Sequence, residues 1–515
     1  MKVCESWAWL SIHCDRCGAS LRFVGPGRRM GLARHVSWTA ISQVSRQVIQ
    51  VALGVVLARL LTPEDFGLIG LTVVFTGFAN LFSDLGLGAA LVQRKDITDR
   101  DLNFVFWLNL LTGITLTIVT ILCAPLIAQF YHEPRLIGIT RLLGICPVIS
   151  SLGLVPGSIM QKQFRFKALA ITDLGSVIVS SVLACWAAAI GLGVMSLVIQ
   201  AIAIQASAVC FRWAAAKWYP TFRLSFKSGR RLVPFGSGLL GSSLVNYWVR
   251  NGDNLLVGRF CGAVPLGLYS RSYTLIVLPV NQVNTVLSPV LFPALSLVQD
   301  SKAELRRVFL FANQAIAVIA FPLMLGLAVV TDDFVHVLWG DRWLGTVAII
   351  RVLAIAGVGN AIGTTSGWIY MAVGRTDRML WWTMAASPVY LVGFIAGLRW
   401  GAFGVAVGYA VALYLVLWYP MWRLAGSLID LSFRKIMMNL RGPFVCAIVM
   451  VFGVIALRLV LGSTLHPAVR LLVSILTGAC LYIGAIEMAN VPAYHYLKGR
   501  AALLVHRAFD SLRSL

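Results

Sequence analysis

Residues 102–130 read LNFVFWLNLLTGITLTIVTILCAPLIAQF, with no Asp, Glu, Lys or Arg among them. About 20 apolar residues in a helix cross the ~30 Å hydrocarbon core of a bilayer, so this run is long enough to span it. A transmembrane barrel strand would need only about 9–11 residues and would alternate lipid-facing with lumen-facing side chains. The run shows no such alternation, which leaves a membrane-spanning helix.

Outward from it, runs of the same kind bounded by charge, Gly or Pro fill the chain, about fourteen in all. The first six cover 36–60, 67–92, 102–130, 136–160, 168–190 and 193–215. Eight more cover 232–260, 266–297, 308–330, 347–373, 379–398, 402–424, 444–461 and 467–489. Composition agrees: of 515 residues only 12% are charged, against roughly 25% in a soluble domain, and 59% are hydrophobic. A mean hydropathy of +0.83 excludes a water-facing globular surface, a disordered chain and a coiled coil.

The net charge of +23 reports topology rather than nucleic-acid binding, because Lys and Arg accumulate in short cytoplasmic loops. One set of loops holds Arg94, Lys95 and Arg100, then Lys162, Arg165 and Lys167, then Lys217, Arg223, Lys227, Arg230 and Arg231. Lys302, Arg306 and Arg307, then Arg375 and Arg378, then Arg434, Lys435 and Arg441 continue the same side. The opposite loops offer mainly Arg135, Arg342 and Arg399 beside Asp332, Asp333 and Asp341. Both termini are therefore expected in the cytoplasm.

Six of the ten cysteines, Cys123, Cys146, Cys185, Cys210, Cys446 and Cys480, fall inside apolar runs, where Cys is a small hydrophobe. Cys4, Cys14 and Cys17 with His13 supply only one CxxC arm, so a cytosolic tail is favoured over a zinc site and no metal is expected. Met30 offers an alternative start. The basic, amphipathic stretch 493–515 is expected to lie along the inner membrane surface.

A shift of 200 residues places Leu57-Ala-Arg59-Leu-Leu-Thr-Pro-Glu-Asp-Phe-Gly67-Leu68 over Val257-Gly-Arg259-Phe-Cys-Gly-Ala-Val-Pro-Leu-Gly267-Leu268. Arg59 meets Arg259 and Gly67 meets Gly267, which pairs the first span with the seventh. Such duplication commonly builds a path between two halves that rock about it. The expected fold class is an all-α polytopic membrane protein, about 14 transmembrane helices in two pseudo-symmetric six-helix lobes plus two C-terminal helices. By residue, a tail (1–35) precedes the N-lobe (36–216), a basic cytosolic linker (217–231), the C-lobe (232–425), two further spans (426–492) and the basic tail (493–515).

Leu60-Leu-Thr-Pro-Glu-Asp-Phe-Gly67, Asp84-Leu-Gly-Leu-Gly-Ala-Ala-Leu-Val-Gln93, Gly267-Leu-Tyr-Ser-Arg271 and Leu287-Ser-Pro-Val-Leu-Phe-Pro-Ala-Leu-Ser296 occur in this order. Together they resemble the polysaccharide transporters, the Wzx-type oligosaccharide flippases of the multidrug/oligosaccharidyl-lipid/polysaccharide exporter superfamily, in the colanic-acid/exopolysaccharide branch. The resemblance covers nearly the whole chain after Met30. It implies two helical lobes in a V around a central cavity, movement of undecaprenyl-diphosphate-linked repeat units between leaflets of the bacterial inner membrane, and contact with polymerase and export machinery.

A sugar head and a diphosphate lose hydration in an apolar layer at a cost of several kcal/mol per unpaired polar group, so a wet cationic chamber is required. An Arg at a helix centre costs ~2.5–3.5 kcal/mol on insertion scales, and its planar fork suits phosphate oxygens. Arg46, Arg141, Arg250, Arg271 and Arg351 are the candidate substrate ligands, with Asn281 and Asn284 among the amides for sugar hydroxyls. Against this, Arg250 and Asp253 are spaced to neutralise each other, Asp84 and Asp173 are in reach of Arg46 or Arg141, and Arg141 and Arg271 can snorkel. Asn313, Gln314 and other amides knit helices equally well. Trp339, Trp343, Trp368, Trp381, Trp382 and Trp400 are expected in interfacial belts. Prolines within spans, three of them in the eighth, are expected to bend helices.

No GxxxxGK[ST] motif occurs, so nucleotide hydrolysis does not drive transport. No cofactor is expected. Charge of roughly −2 leaving an inside-negative cell gains about 4–5 kcal/mol at 100 mV. Asp84, Asp173 and Asp253 are the candidates for ion coupling. The alternatives are a multidrug or cation antiporter, which should favour carboxylates over arginines, and a membrane polymerase or ligase, which usually needs a longer outer loop than 331–346.

Overall fold

The structure is a computed structural model that describes residues 26–83, 86–94, 97–222, 247–248, 250–462 and 465–499. For 26–41, 89, 280, 282–294 and 296–297 it describes the backbone alone. Among the described residues every regular element is a helix, and ten helical stretches are long and apolar enough to cross a membrane.

The first bundle contains α1 (Pro26–Leu60), α2 (Pro63–Phe82), α3 (Leu87–Gln93), α4 (Asp99–Tyr131), α5 (Leu136–Leu143), α6 (Cys146–Lys162), α7 (Phe166–Ala189) and α8 (Val194–Ala216). Sequence sets their starts. Thr62 caps α2 by accepting from the Asp65 backbone N–H, and the Asp65 carboxylate answers to the Thr62 N–H at 2.9 Å. Thr98 and Asp101 repeat this box at α4. Each box satisfies two orphan donors, worth about 1 kcal/mol per cap. α1 packs on α7, α7 on α8, α8 on α6 and α6 on α4.

After α9 (250–261), the second bundle holds α10 (Ala263–Leu297), α11 (Lys302–Leu338), α12 (Thr346–Gly363), α13 (Ser366–Ala372), α14 (Thr376–Gly397), α15 (Gly401–Val411), α16 (Trp418–Ser427), α17 (Phe433–Leu461) and α18 (Pro467–Met488). α11 lies against α12, α17 and α18, and α14 against α15. A wider π turn at Ala412–Leu417 links α15 to α16.

Three runs that read as single spans are each two helices. The run 67–92 breaks between α2 and α3, where Gly86 takes a left-handed φ of 67° that a side chain resists. Gly144 divides α5 from α6, and Thr364 and Thr365 divide α12 from α13. Pro147 sits at the start of α6, where its missing N–H costs nothing, so it makes no kink. α10 runs as one helix of 35 residues past Pro279, Pro289 and Pro293, so none of the three ends it.

The bundles meet chiefly where α2 lies against α10. A Cβ on Gly67 would stand 1.8 Å from the Ala263 carbonyl oxygen, and one on Gly267 would stand 1.8 Å from the Pro63 carbonyl oxygen. These contacts are reciprocal under the 200-residue shift. Backbone touches backbone at both, which only glycine permits.

Candidate functional site: the seam between the bundles

At the end of the seam where α1 turns into α2, the repeated arginines reach across it. Arg59, in the last turn of α1, donates through Nε to the Leu338 carbonyl at 3.0 Å and through Nη2 to the Val337 and His336 carbonyls. These lie at the C-terminal end of α11, where carbonyls lack helical partners and the dipole is negative. Arg259, at the matching end of α9, donates to His132 Nδ1 at 2.8 Å and stands 5.4 Å over the Phe130 ring, at the end of α4. Each repeat thus sends its arginine across the seam, one onto the carbonyls that end α11 and the other onto the imidazole that follows α4.

Between the two arginines the seam is packed. Trp343 is fully buried and donates its indole N–H to the Ala58 carbonyl at 2.8 Å, with Phe66 edge-on at 5.3 Å. Arg271 of α10 donates to the Gly54 carbonyl, and its guanidinium lies 5.1 Å from the Phe66 centroid and 5.2 Å from that of Trp339. Its Nε finds no partner. Outside, Arg135 bonds Glu133 at 2.8 Å and Glu64 at 2.5 Å. The Arg135 guanidinium holds the Glu133 carboxyl below its ordinary range.

The remaining candidates are dispersed. Half-buried Arg46 donates to Gln43 Oε1 at 2.5 Å and meets no carboxylate among the described residues. Arg250 is exposed and does not pair with Asp253. That carboxylate, only 4% exposed, instead accepts from Tyr269 Oη at 2.9 Å and from the Asn254 backbone N–H at 2.8 Å. Tyr269 in turn stacks on Tyr273 at 6.3 Å, and Tyr390 stacks on Tyr409 at 5.3 Å. Arg141 is exposed in the last turn of α5, where the helix dipole favours a cation. Asn281 is exposed on α10. Asp84 and the Asn284 side chain lie outside the described residues, as do Cys4, His13, Cys14 and Cys17.

Two candidates are neutralised. Asp173 pairs at 3.1 Å with Arg212 of α8, not with Arg46 or Arg141. Arg351 pairs with Asp332, beside a second knot in which buried Asp333 binds Arg458 at 3.0 Å and Arg470 through both carboxylate oxygens. Arg212, Arg458 and Arg470, which spacing along one helix does not single out, supply the partners. An acid facing a base one helix away is the signal that finds the Asp173–Arg212 pair. Asn313 donates to Thr365 Oγ1 at 2.8 Å and Gln314 to the Asn439 carbonyl at 3.0 Å, so both amides knit helices. Trp339, Trp343 and Trp368 are buried rather than in a belt, because the seam and the second bundle enclose them, whereas Trp381 and Trp400 are 75% and 71% exposed.

Comparison with known proteins agrees with this architecture. A solved structure of the lipid II flippase MurJ in an inward closed conformation superposes with a TM-score of 0.72 at 15% identity, over 87% of this chain and 98% of that one, so the fold is shared. The teichuronic acid biosynthesis protein TuaB of Bacillus subtilis (strain 168) is 31% identical over 452 residues, 87% of this chain and 93% of that protein. The lipopolysaccharide biosynthesis protein WzxC of Escherichia coli (strain K12) is 26% identical over 79% of this chain and 83% of its own length. Residues 56–348, more than half of the sequence, match the family described as polysaccharide biosynthesis protein. On that match and the likeness to TuaB, the chain belongs to the polysaccharide biosynthesis protein family, the Wzx-type polysaccharide transporters whose motifs it carries.

Proposed function

We propose that the protein is a flippase that moves undecaprenyl-diphosphate-linked oligosaccharide repeat units from the cytoplasmic to the periplasmic leaflet of the bacterial inner membrane. In this reading fourteen helices form two six-helix lobes and a C-terminal pair, both termini are cytoplasmic, and the lobes rock about the α2–α10 seam. The arginine-clamped end is the periplasmic one, because its loops are poor in Lys and Arg. The state described is then closed outward.

The observation that carries the reading is that three guanidiniums in stretches read from the sequence as spans, Arg46, Arg250 and Arg271, meet no carboxylate among the described residues. Retaining unpaired cations at membrane depth is costly, and an anionic cargo supplies the missing charge. Arg46 and Arg250 meet the diphosphate while the clamp is shut; Arg271, wedged between Phe66 and Trp339, meets it after the clamp opens. Asp253 is the coupling residue: of Asp173 and Asp253, it alone is buried without a cation. A multidrug or cation antiporter should favour carboxylates over arginines in its site, and the surplus of arginine argues against that cargo. Cells carrying Arg250→Ala should accumulate lipid-linked repeat units in the inner leaflet while the protein's membrane level stays constant; normal polymer export would refute the role of Arg250.

A further inference from the structure

A cavity of about 620 Å³ opens between the bundles, walled by α2, α4 and α9. Its surface is almost wholly apolar, led by Phe75, Phe78 and Phe82 on α2, Leu126 and Phe130 on α4, and Trp248 just before α9. That volume lies within the ~300–1,000 Å³ of small-molecule sites. We infer that this crevice seats the polyisoprenoid tail of the lipid-linked cargo while its head occupies the chamber between the bundles. The inference rests on the flippase reading and adds where the tail goes.

Three features carry it. First, the crevice is continuous with the seam: Phe130, which lines it, is the ring beneath Arg259, and Tyr247, beside Trp248, donates to the Val74 carbonyl of α2 at 2.7 Å. Second, the α9 segment has two faces. Leu255 lies on the face that lines the crevice, whereas Arg250, five residues earlier, is about 140° away around the helix. On that other side Arg250 is within electrostatic reach of Tyr273 of α10. One helix therefore separates a place for a tail from a place for a phosphate by its own width.

Third, the lining suits an isoprenoid. A bilayer offers acyl chains everywhere, so apolarity alone selects nothing. Selection must come from shape and from dispersion contact with flat surfaces. The Phe78 ring lies 5.0 Å from Trp248 and 5.3 Å from Phe82, and Phe75 meets Phe130 edge-on at 6.1 Å. Such walls give planar, methyl-branched alkene units faces and edges to pack on, where a flexible saturated chain makes poorer contact. A head held by arginines next door raises the effective concentration of its own tail over that of free lipid.

The test uses the full chain in nanodiscs with two photoreactive probes, a diazirine-tagged polyprenyl diphosphate and a diazirine-tagged phosphatidylglycerol, and maps labelled peptides by mass spectrometry. The prenyl probe should label 75–82 and 119–130, be displaced by untagged undecaprenyl phosphate and not by phosphatidylglycerol, and lose about tenfold in capture in Ala79→Phe, which fills the crevice with an apolar ring. Phe78→Ala should weaken capture in the same direction, and both variants should keep wild-type levels in the membrane. Equal labelling of the crevice by both probes, with displacement by either lipid, would overturn the seat. Saturable prenyl labelling confined to another groove would also overturn it, yet leave the flippase reading standing. No saturable prenyl labelling anywhere would overturn both.

Discussion

Arg271 and Arg250 show how differently one residue type is held in this chain. The Arg271 guanidinium lies between two aromatic rings and on a carbonyl, an arrangement that uses the planar ion and that an ammonium does not reproduce. Cation–π contact of this kind contributes ~0.5–2 kcal/mol according to burial. Arg271→Lys should therefore impair export nearly as much as Arg271→Ala, whereas Arg250→Lys, at an exposed site, should retain much of it; polymer yield at equal protein level checks both. Outside the seam, the Arg135 tie to Glu133 and Glu64 has a defined pH sense. A carboxyl whose folded value is depressed contributes stability above its unfolded value near ~4.3 and loses it as pH falls through the folded value. The hold of the 132–135 turn on the start of α2 should thus stay constant from neutral pH down to about 5 and loosen only in stronger acid, read as faster hydrogen exchange of that turn's backbone.

Among the elements, the ends of α1 and α9 decide whether the seam is shut. Hydrogen bonds to a charged group contribute roughly 1.5–3 kcal/mol each, and Arg59 and Arg259 place theirs on opposite bundles. Arg59→Ala with Arg259→Ala should shift the protein towards the opened state, read as faster labelling of Ala58→Cys by an impermeant maleimide added outside. Gly67→Val should do so more strongly, since its side chain would have to occupy the Ala263 carbonyl. The ends of α17 and α18 are secured by buried Asp333 between Arg458 and Arg470. Removing one partner of a buried ion pair costs about 3–5 kcal/mol, so Asp333→Asn should sharply lower the melting temperature in detergent. Asp332→Asn, at a site 42% exposed, should change it little.

At the scale of the molecule, what was legible in advance followed from local chemistry. Apolar length marked the ten stretches long enough to cross, and the shift that superposed Gly67 on Gly267 picked out two glycines that the fold sets against each other's turns, a contact the repeat did not foretell, as it did not foretell the capping boxes of Thr62 and Thr98. What escaped was set by tertiary neighbours. Asp173 finds Arg212, Arg351 finds Asp332, and Trp343 enters the seam, because helices far apart in sequence meet there. Spacing along one helix could not choose among those partners, and it suggested for Arg250 and Asp253 a pairing that Tyr269 displaces. The crevice beside α9 escaped for the same reason, its walls coming from three separate stretches.

The most direct test is translocation itself. In proteoliposomes holding a fluorescent undecaprenyl-diphosphate oligosaccharide in both leaflets, an impermeant glycosidase reads the fraction exposed outside. The account requires digestion of the entire pool with the wild-type protein, and of the outer-leaflet portion alone when Arg46→Ala and Arg250→Ala are combined. An inner-leaflet pool that stays protected in the presence of folded wild-type protein would contradict it.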